Sequence, residues 1–237
     1  MSSSWSATIL TLFPKMFPGP LAASLAGNAL EKNLWSLEVR DIRDHGLGKH
    51  RSVDDTPSGC GPGMVMRADV AAAAIDAVRA QEKENHRPLI YLSPRGAPLT
   101  QARVRSLAEG PGAILFCGRF EGLDQRVVEA RQMEEISLGD FVLMGGEVAA
   151  MALIEASVRL LPGVLGDAAS ADDESFARGL LEYPHFTRPQ SFESRTIPDV
   201  LNNGNHSEIS KWRRAEAERL TKERRPDLWS HYEKGKG

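Results

Sequence analysis

Apolar positions fall in two alternating patterns along this chain. Short runs rich in β-branched and aromatic residues, at 7–13, 34–39, 88–92, 113–117 and 133–136, predict strands. Between them lie segments with helical spacing at 21–30, 68–84, 100–109, 122–132 and 148–161. The alanine-rich segment at 68–84 is the clearest of these, and Gly27 is the weak point of 21–30. Pro14 ends the first strand, and Pro162-Gly163 stops the last of these helices. Strands alternating with helices predict an α/β fold, with a largely parallel sheet and helices on both faces.

Three apolar runs break abruptly into glycine, proline or polar residues: 88–94, 112–122 and the central 137–147, Ser137-Leu138-Gly139-Asp140-Phe141-Val142-Leu143-Met144-Gly145-Gly146-Glu147. Alone, the last reads as a buried strand and a tight turn into a helix. Three such ends in one parallel sheet are instead what a ligand crevice at its carboxyl edge requires. Residues 51–64 carry glycines at alternate positions without either phosphate-binding spacing, G-x-x-x-x-G-K or G-x-G-x-x-G. They read as a surface loop or as one that closes over a site, with Asp54 and Asp55 as acceptors.

The pattern changes after residue 165. Residues 166–182 are small and acidic, which predicts a mobile linker. Prolines at 184, 189 and 198 predict extended, irregular chain, and a helix follows from Asn205 to about Arg224. Formal net charge is −3 over 237 residues, which argues against a nucleic-acid binder until its distribution is considered. Residues 205–237 hold nine Lys/Arg against six Asp/Glu, so the carboxyl-terminal part is basic on an acidic body. No run of about 18 apolar residues and no secretory signal is visible. Cys60 and Cys117 lack metal spacing and read as small buried residues of a reducing compartment, so a cytoplasmic location is expected.

Several segments together resemble one family. They are Thr11-Leu12-Phe13-Pro14-Lys15-Met16-Phe17, Asp54-Asp55-Thr56-Pro57 with Gly61-Pro62-Gly63-Met64, Tyr91-Leu92-Ser93-Pro94 and Cys117-Gly118-Arg119-Phe120-Glu121-Gly122. To these add the central stretch, Pro162-Gly163-Val164-Leu165-Gly166, Pro184-His185-Phe186-Thr187-Arg188-Pro189 and Gly204-Asn205-His206. In that order and spacing the chain resembles the bacterial tRNA (guanine-N1)-methyltransferases of the SPOUT class.

The resemblance implies a SPOUT domain at 1–165 with a deep trefoil knot, a flexible acidic linker at 166–182, and a small, mostly α-helical tRNA-binding domain at 183–237. It implies methyl transfer from S-adenosylmethionine to N1 of the guanine immediately 3′ of the tRNA anticodon, by a homodimer whose active sites are shared between subunits. Tyr91, Leu92, Ser93 and Pro94 would form one wall of the S-adenosylmethionine site. Gly118, Phe120, Glu121 and Gly122 would form a second, and Leu138, Gly139, Phe141, Leu143, Gly145 and Gly146 the third. Asp54, Gly63, His185, Arg188, His206, Lys211, Arg213 and Arg214 would face the tRNA, with Lys222, Arg224 and Arg225 as further phosphate contacts and Trp212 in the core. No metal site is expected, and participation of Mg²⁺ is not legible in the residues.

Arg159 matches the family's catalytic arginine, although spacing alone would pair it with Glu155. The family's base is an aspartate directly before Ser-Phe. Here Glu174 holds that position, with Asp173 as the alternative. Phe120 and Phe186 stand where tyrosine is usual, and Ser58, Cys60 and Met144 also depart from the family pattern. Three other readings are weaker: a SPOUT methyltransferase acting on another nucleotide; a non-catalytic RNA- or nucleotide-binding module, which would need neither Arg159 nor the acidic linker; and a nucleotide-hydrolysing enzyme, for which no phosphate-loop motif is present.

Overall fold

The first strand, β1 (Trp5–Thr11), is buried at every position but Ser6, as expected for a central strand of a covered sheet. Helix α1 (Ser24–Glu31) and strand β2 (Trp35–Asp41) follow. A two-stranded ribbon, β3 (Asp54–Asp55) and β4 (Val65–Met66), encloses the glycine-rich loop and leads into α2 (Ala68–Arg79). Then come β5 (Leu89–Pro98), α3 (Gln101–Glu109), β6 (Gly112–Cys117), α4 (Gln125–Ala130), β7 (Glu134–Ser137) and α5 (Glu147–Val158). This computed structural model describes residues 4–82, 87–166 and 174–235.

The five long strands form one sheet in the order β2-β1-β6-β5-β7, with every pairing parallel. Alternate residues divide between two cores. Ile9, Ile90, Leu92, Leu115 and Cys117 face α1, α3 and α5. Leu10, Tyr91, Ile114 and Phe116 face α2 and α4. Two indoles anchor the first core edge-on, with Trp5 and Trp35 centroids 6.4 Å apart. Their buried N–H groups are satisfied by the carbonyls of Leu107 and Ala26 at 2.8 and 2.9 Å.

Strand β5 outruns the expected 88–92. Both Leu92 and Ala97 face Ile136 of β7, so Ser93–Gly96 bulges out of register at the sheet's carboxyl edge. Gly96 is required there, because a Cβ would stand 2.4 Å from the Glu135 carbonyl carbon. Gly27 is not a weak point but a packing requirement: a Cβ would stand 2.1 Å from the Ala22 carbonyl oxygen. The helix expected at 21–30 is a 3₁₀ turn (Gly19–Ala22) followed by α1. Helix α2 stops at Arg79, short of Glu84, and α5 at Val158, short of Leu161.

The central stretch departs most from its simplest reading. Residues 138–146 form no strand, and although Leu138 packs on the first core and Gly146 is buried, the apolar run between them is exposed, Val142 to 83% and Met144 to 94%. Of the two cysteines, Cys117 is buried as expected, whereas Cys60 is exposed.

Tertiary contacts divide the chain into two compact units, Met1–Gly166 and Asp167–Gly237. The second contains a short hairpin, β8 (Ser191–Phe192) with β9 (Arg195–Thr196), and two helices, α6 (His206–Arg224) and α7 (Pro226–Lys234). Asn205 caps α6 by accepting from the Ser207 and Glu208 N–H groups. Helix α7 has no counterpart in the sequence reading. It begins at Pro226, a residue suited to a first helical turn.

Candidate functional site

A cavity of about 280 Å³ opens at the carboxyl ends of β5, β6 and β7. All fourteen residues that the resemblance assigns to S-adenosylmethionine line it, from Tyr91, Leu92, Ser93 and Pro94 through Gly118, Phe120, Glu121 and Gly122 to Leu138, Gly139, Phe141, Leu143, Gly145 and Gly146.

The walls approach this closely because glycines stand where side chains would collide. A Cβ on Gly118 would be 2.7 Å from the Tyr91 ring, and one on Gly146 would be 2.8 Å from Cys117 Cα. The Gly146 N–H donates to the Gly118 carbonyl at 3.0 Å, fastening the start of α5 to the end of β6. Beneath the second wall the Tyr91 hydroxyl accepts from the Leu123 N–H at 3.1 Å. Burial raises the Tyr91 pKa, so the phenol stays protonated.

Phe120 sits in the left-handed region at φ +58° and is half exposed. A non-glycine residue held there at a cavity rim is local strain of the kind that gathers at functional sites. Glu121 follows it and is exposed. The glycine-rich loop comes up against this carboxylate: a Cβ on Gly63 would be 2.5 Å from Glu121 Oε1. Backbone bonds from Glu121 N–H to the Met64 carbonyl and from Met66 N–H to the Gly122 carbonyl, each 2.9 Å, hold the loop beside the second wall. Of the residues expected from the resemblance to face the tRNA, Gly63 therefore adjoins the cavity. Asp54 lies in β3, in register with Met66.

Two residues carry geometry that the sequence reading left without a role. Glu147, 1% exposed, accepts from the Thr11 hydroxyl at 2.7 Å and from Arg119 Nε at 3.2 Å. Its Oε2 lies 2.8 Å from Arg119 Nη2, but out of line for a hydrogen bond, so that contact is between charges. Arg119 Nη1 donates to the Met144 carbonyl at 3.2 Å, and the guanidinium lies 4.2 Å over the Phe13 ring. Both residues sit inside motifs visible in the sequence, but they are 28 positions apart and only the fold pairs them.

Beside this pair, Cys117 is fully buried. Burial first, and then the Glu147 charge, push its thiol pKa well up, so it is an unreactive neutral thiol.

Arg159 is not at this cavity. It caps the carboxyl end of α5, whose twelve residues put about 18 Å of helix between it and Glu147. Glu174 belongs to the second unit, and Asp173 lies outside the described residues. With Arg178, Tyr183, Arg213, Arg214 and Tyr232, Glu174 lines a separate cavity of about 410 Å³.

There the Arg213 guanidinium stacks 4.8 Å over the Tyr183 ring, and Arg214 donates to Glu218 and to the Tyr232 hydroxyl. His185 and Arg188 line a neighbouring hollow, His185 lying 3.5 Å from Glu182. His206 and Lys211 are exposed on α6. Among the other expected phosphate contacts, Lys222 lies over Trp229 and Arg225 pairs with Asp227 at 2.6 Å. Trp212 is half-buried, 6.1 Å from the Phe186 ring.

Residues 6–231 match the family described as tRNA (Guanine-1)-methyltransferase TrmD. The chain is 64% identical over 227 residues to a tRNA (guanine-N(1)-)-methyltransferase of Nitrobacter winogradskyi, covering 96% of this chain and 94% of the relative. It is 65% identical to a protein of the same name from Rhodopseudomonas palustris, covering 96% and 90%. It is 61% identical to one from Chelativorans, covering 99% of both. The chain belongs to the tRNA (guanine-1)-methyltransferase family.

Proposed function

We propose that this chain transfers a methyl group from S-adenosylmethionine to N1 of the guanine immediately 3′ of the anticodon in tRNA. The observation that carries the reading is the cavity at three parallel strand ends, in a chain so similar to named tRNA (guanine-N1)-methyltransferases. Its size is near the low end of the roughly 300–1,000 Å³ of small-molecule sites. Its lining suits the donor. Leu92, Leu138, Phe141 and Leu143 give an adenine apolar walls, and the glycines expose backbone N–H and C=O groups to its edge. Glu121 offers a carboxylate to a ribose or to a cationic sulfur.

Bound S-adenosylmethionine supplies an electrophilic methyl, whose bond to sulfur breaks as its bond to N1 forms. The protein's part is to make N1 a nucleophile. Guanine N1 carries a proton at neutral pH, and a carboxylate must take it; Glu174 has that role, with Asp173 as the alternative. Arg159 offsets the negative charge that develops on the purine.

A homodimer with shared active sites accords with the distance along α5. One chain holds Arg159 a helix length from the cavity, and a second copy would bring its own across an interface. The exposed apolar residues Val142, Met144 and Val148 are suitable material for such an interface. The proposed architecture keeps the SPOUT knot within 1–165, the linker at 166–182 and the tRNA-gripping domain at 183–237. The separation of contacts at Gly166 supports the first boundary. Among the described residues no helix is long and apolar enough to cross a membrane, and a tRNA substrate fits a cytoplasmic enzyme.

The test is methyl transfer from labelled S-adenosylmethionine to two tRNA transcripts, one with guanine and one with adenine 3′ of the anticodon. Transfer to the first alone is expected. Equal transfer to both, or to neither while the donor still binds, refutes the assignment.

A further inference from the structure

The cavity's walls come from segments far apart in sequence, and one guanidinium ties them together. Arg119 leaves the end of β6 and meets Glu147 at the start of α5, the Met144 carbonyl in the 138–146 loop, and the Phe13 ring just past β1. Glu147 extends the tie through the Thr11 hydroxyl, which in turn accepts from the Phe13 N–H at 2.9 Å.

The partners hold one another in place. A carboxylate that is 1% exposed is costly without its cation, so Glu147 keeps Arg119 from swinging into solvent. Arg119 so held fills the space a side chain at 145 would need: a Cβ there would be 2.2 Å from its Nε.

The loop it reaches has little burial of its own at the tip, where Val142 and Met144 are almost fully exposed. Within one chain, the bond to the Met144 carbonyl ties the loop where its own side chains do not pack. The same loop contributes Phe141, Leu143, Gly145 and Gly146 to the cavity.

We propose that Arg119, locked by Glu147, is a positioning residue that fixes the 141–146 loop as the third wall of the methyl-donor pocket. This rests on the reading of that cavity as the S-adenosylmethionine site. Arginine is needed rather than charge alone. Its planar fork reaches the carboxylate and the carbonyl at once while stacking on the ring, whereas an ammonium is a single point charge.

The decisive variant is Arg119→Lys, which leaves a cation opposite Glu147 and so spares the buried carboxylate. Titration calorimetry with S-adenosylmethionine and with tRNA, and hydrogen exchange of the 141–146 amides, are measured on the full chain. The expected result is at least about tenfold weaker S-adenosylmethionine binding and faster exchange at 141–146, with tRNA affinity within about twofold of wild type. Phe13→Leu removes the ring beneath the guanidinium at a 43%-exposed position, where misfolding is not a concern, and is expected to act in the same direction more weakly. Wild-type binding retained within twofold in both variants overturns the proposal. A wild-type chain that does not bind S-adenosylmethionine instead sinks the reading of the cavity, and the proposal with it.

Discussion

Gly146→Ala isolates how closely the cavity walls are packed. Gly146 has φ −78° and ψ −8°, angles an alanine adopts freely, so conformational strain does not enter. The effect is contact alone. The new Cβ would lie 2.8 Å from Cys117 Cα and 3.2 Å from Gly118 N, both backbone atoms that no rotamer change can move. Ordinary carbon contacts are about 3.5–4.0 Å, so α5 and β6 must separate by roughly 1 Å. The Gly146-to-Gly118 hydrogen bond, now 3.0 Å, stretches or breaks with them.

Overpacking of this kind costs about 1–3 kcal/mol. At roughly 2–4 °C per kcal/mol for a domain of this size, the melting temperature should fall by about 2–12 °C. S-adenosylmethionine affinity should fall by at least about tenfold, since the two walls it would lie between are those forced apart. Gly110→Ala is the control: its Cβ would meet the Leu107 and Ser106 carbonyls at an ordinary 3.5 Å, and a change within about 0.5 kcal/mol is expected. Scanning calorimetry and ligand titration on both variants decide the matter. If Gly146→Ala melts and binds as Gly110→Ala does, the close-approach argument is wrong.

Single-turnover methyl transfer should fall by two orders of magnitude or more in Glu174→Gln and much less in Asp173→Asn; the reverse pattern moves the base to Asp173. Replacing Lys211, Arg213 and Arg214 together with alanine should lower the slope of log affinity for tRNA against log salt by about two to three units. Identical slopes for the variant and wild type would remove this face of α6 from the RNA surface. In folded protein a thiol reagent should titrate Cys60 alone, because Cys117 is buried and its pKa raised; two rapid equivalents would contradict the burial. The sign of the linkage follows from that raised value. Cys117 favours the fold fully below the unfolded thiol's pKa of 9.0, and its contribution is lost as pH rises above it, so Cys117→Ala should flatten the alkaline limb of a stability profile.

The sheet was legible because parallel strands buried on both faces leave a strong signal. Ile9 and Leu10, or Ile114 and Leu115, are apolar at consecutive positions because each faces a different core. The same signal misleads at 141–144. Four consecutive apolar residues read locally as buried strand, yet all four are exposed in a loop anchored by its glycines and by Arg119. Composition reports that a residue gains by leaving water; it does not report which surface will cover it.

Helix α7 was missed for the opposite reason. Its sequence, Pro226-Asp227-Leu228-Trp229-Ser230-His231-Tyr232-Glu233-Lys234, has few apolar positions, and its support comes from α6 through pairs such as Tyr232 with Glu218, joined at 2.9 Å. The site divides along the same line. Glycine-flanked strand ends could be recognised one at a time, because each is a local pattern. Arg119 and Glu147 are ordinary charged residues until the fold brings 28 positions of chain back on themselves. Only then does a buried carboxylate need that particular arginine, and a pocket wall depend on both.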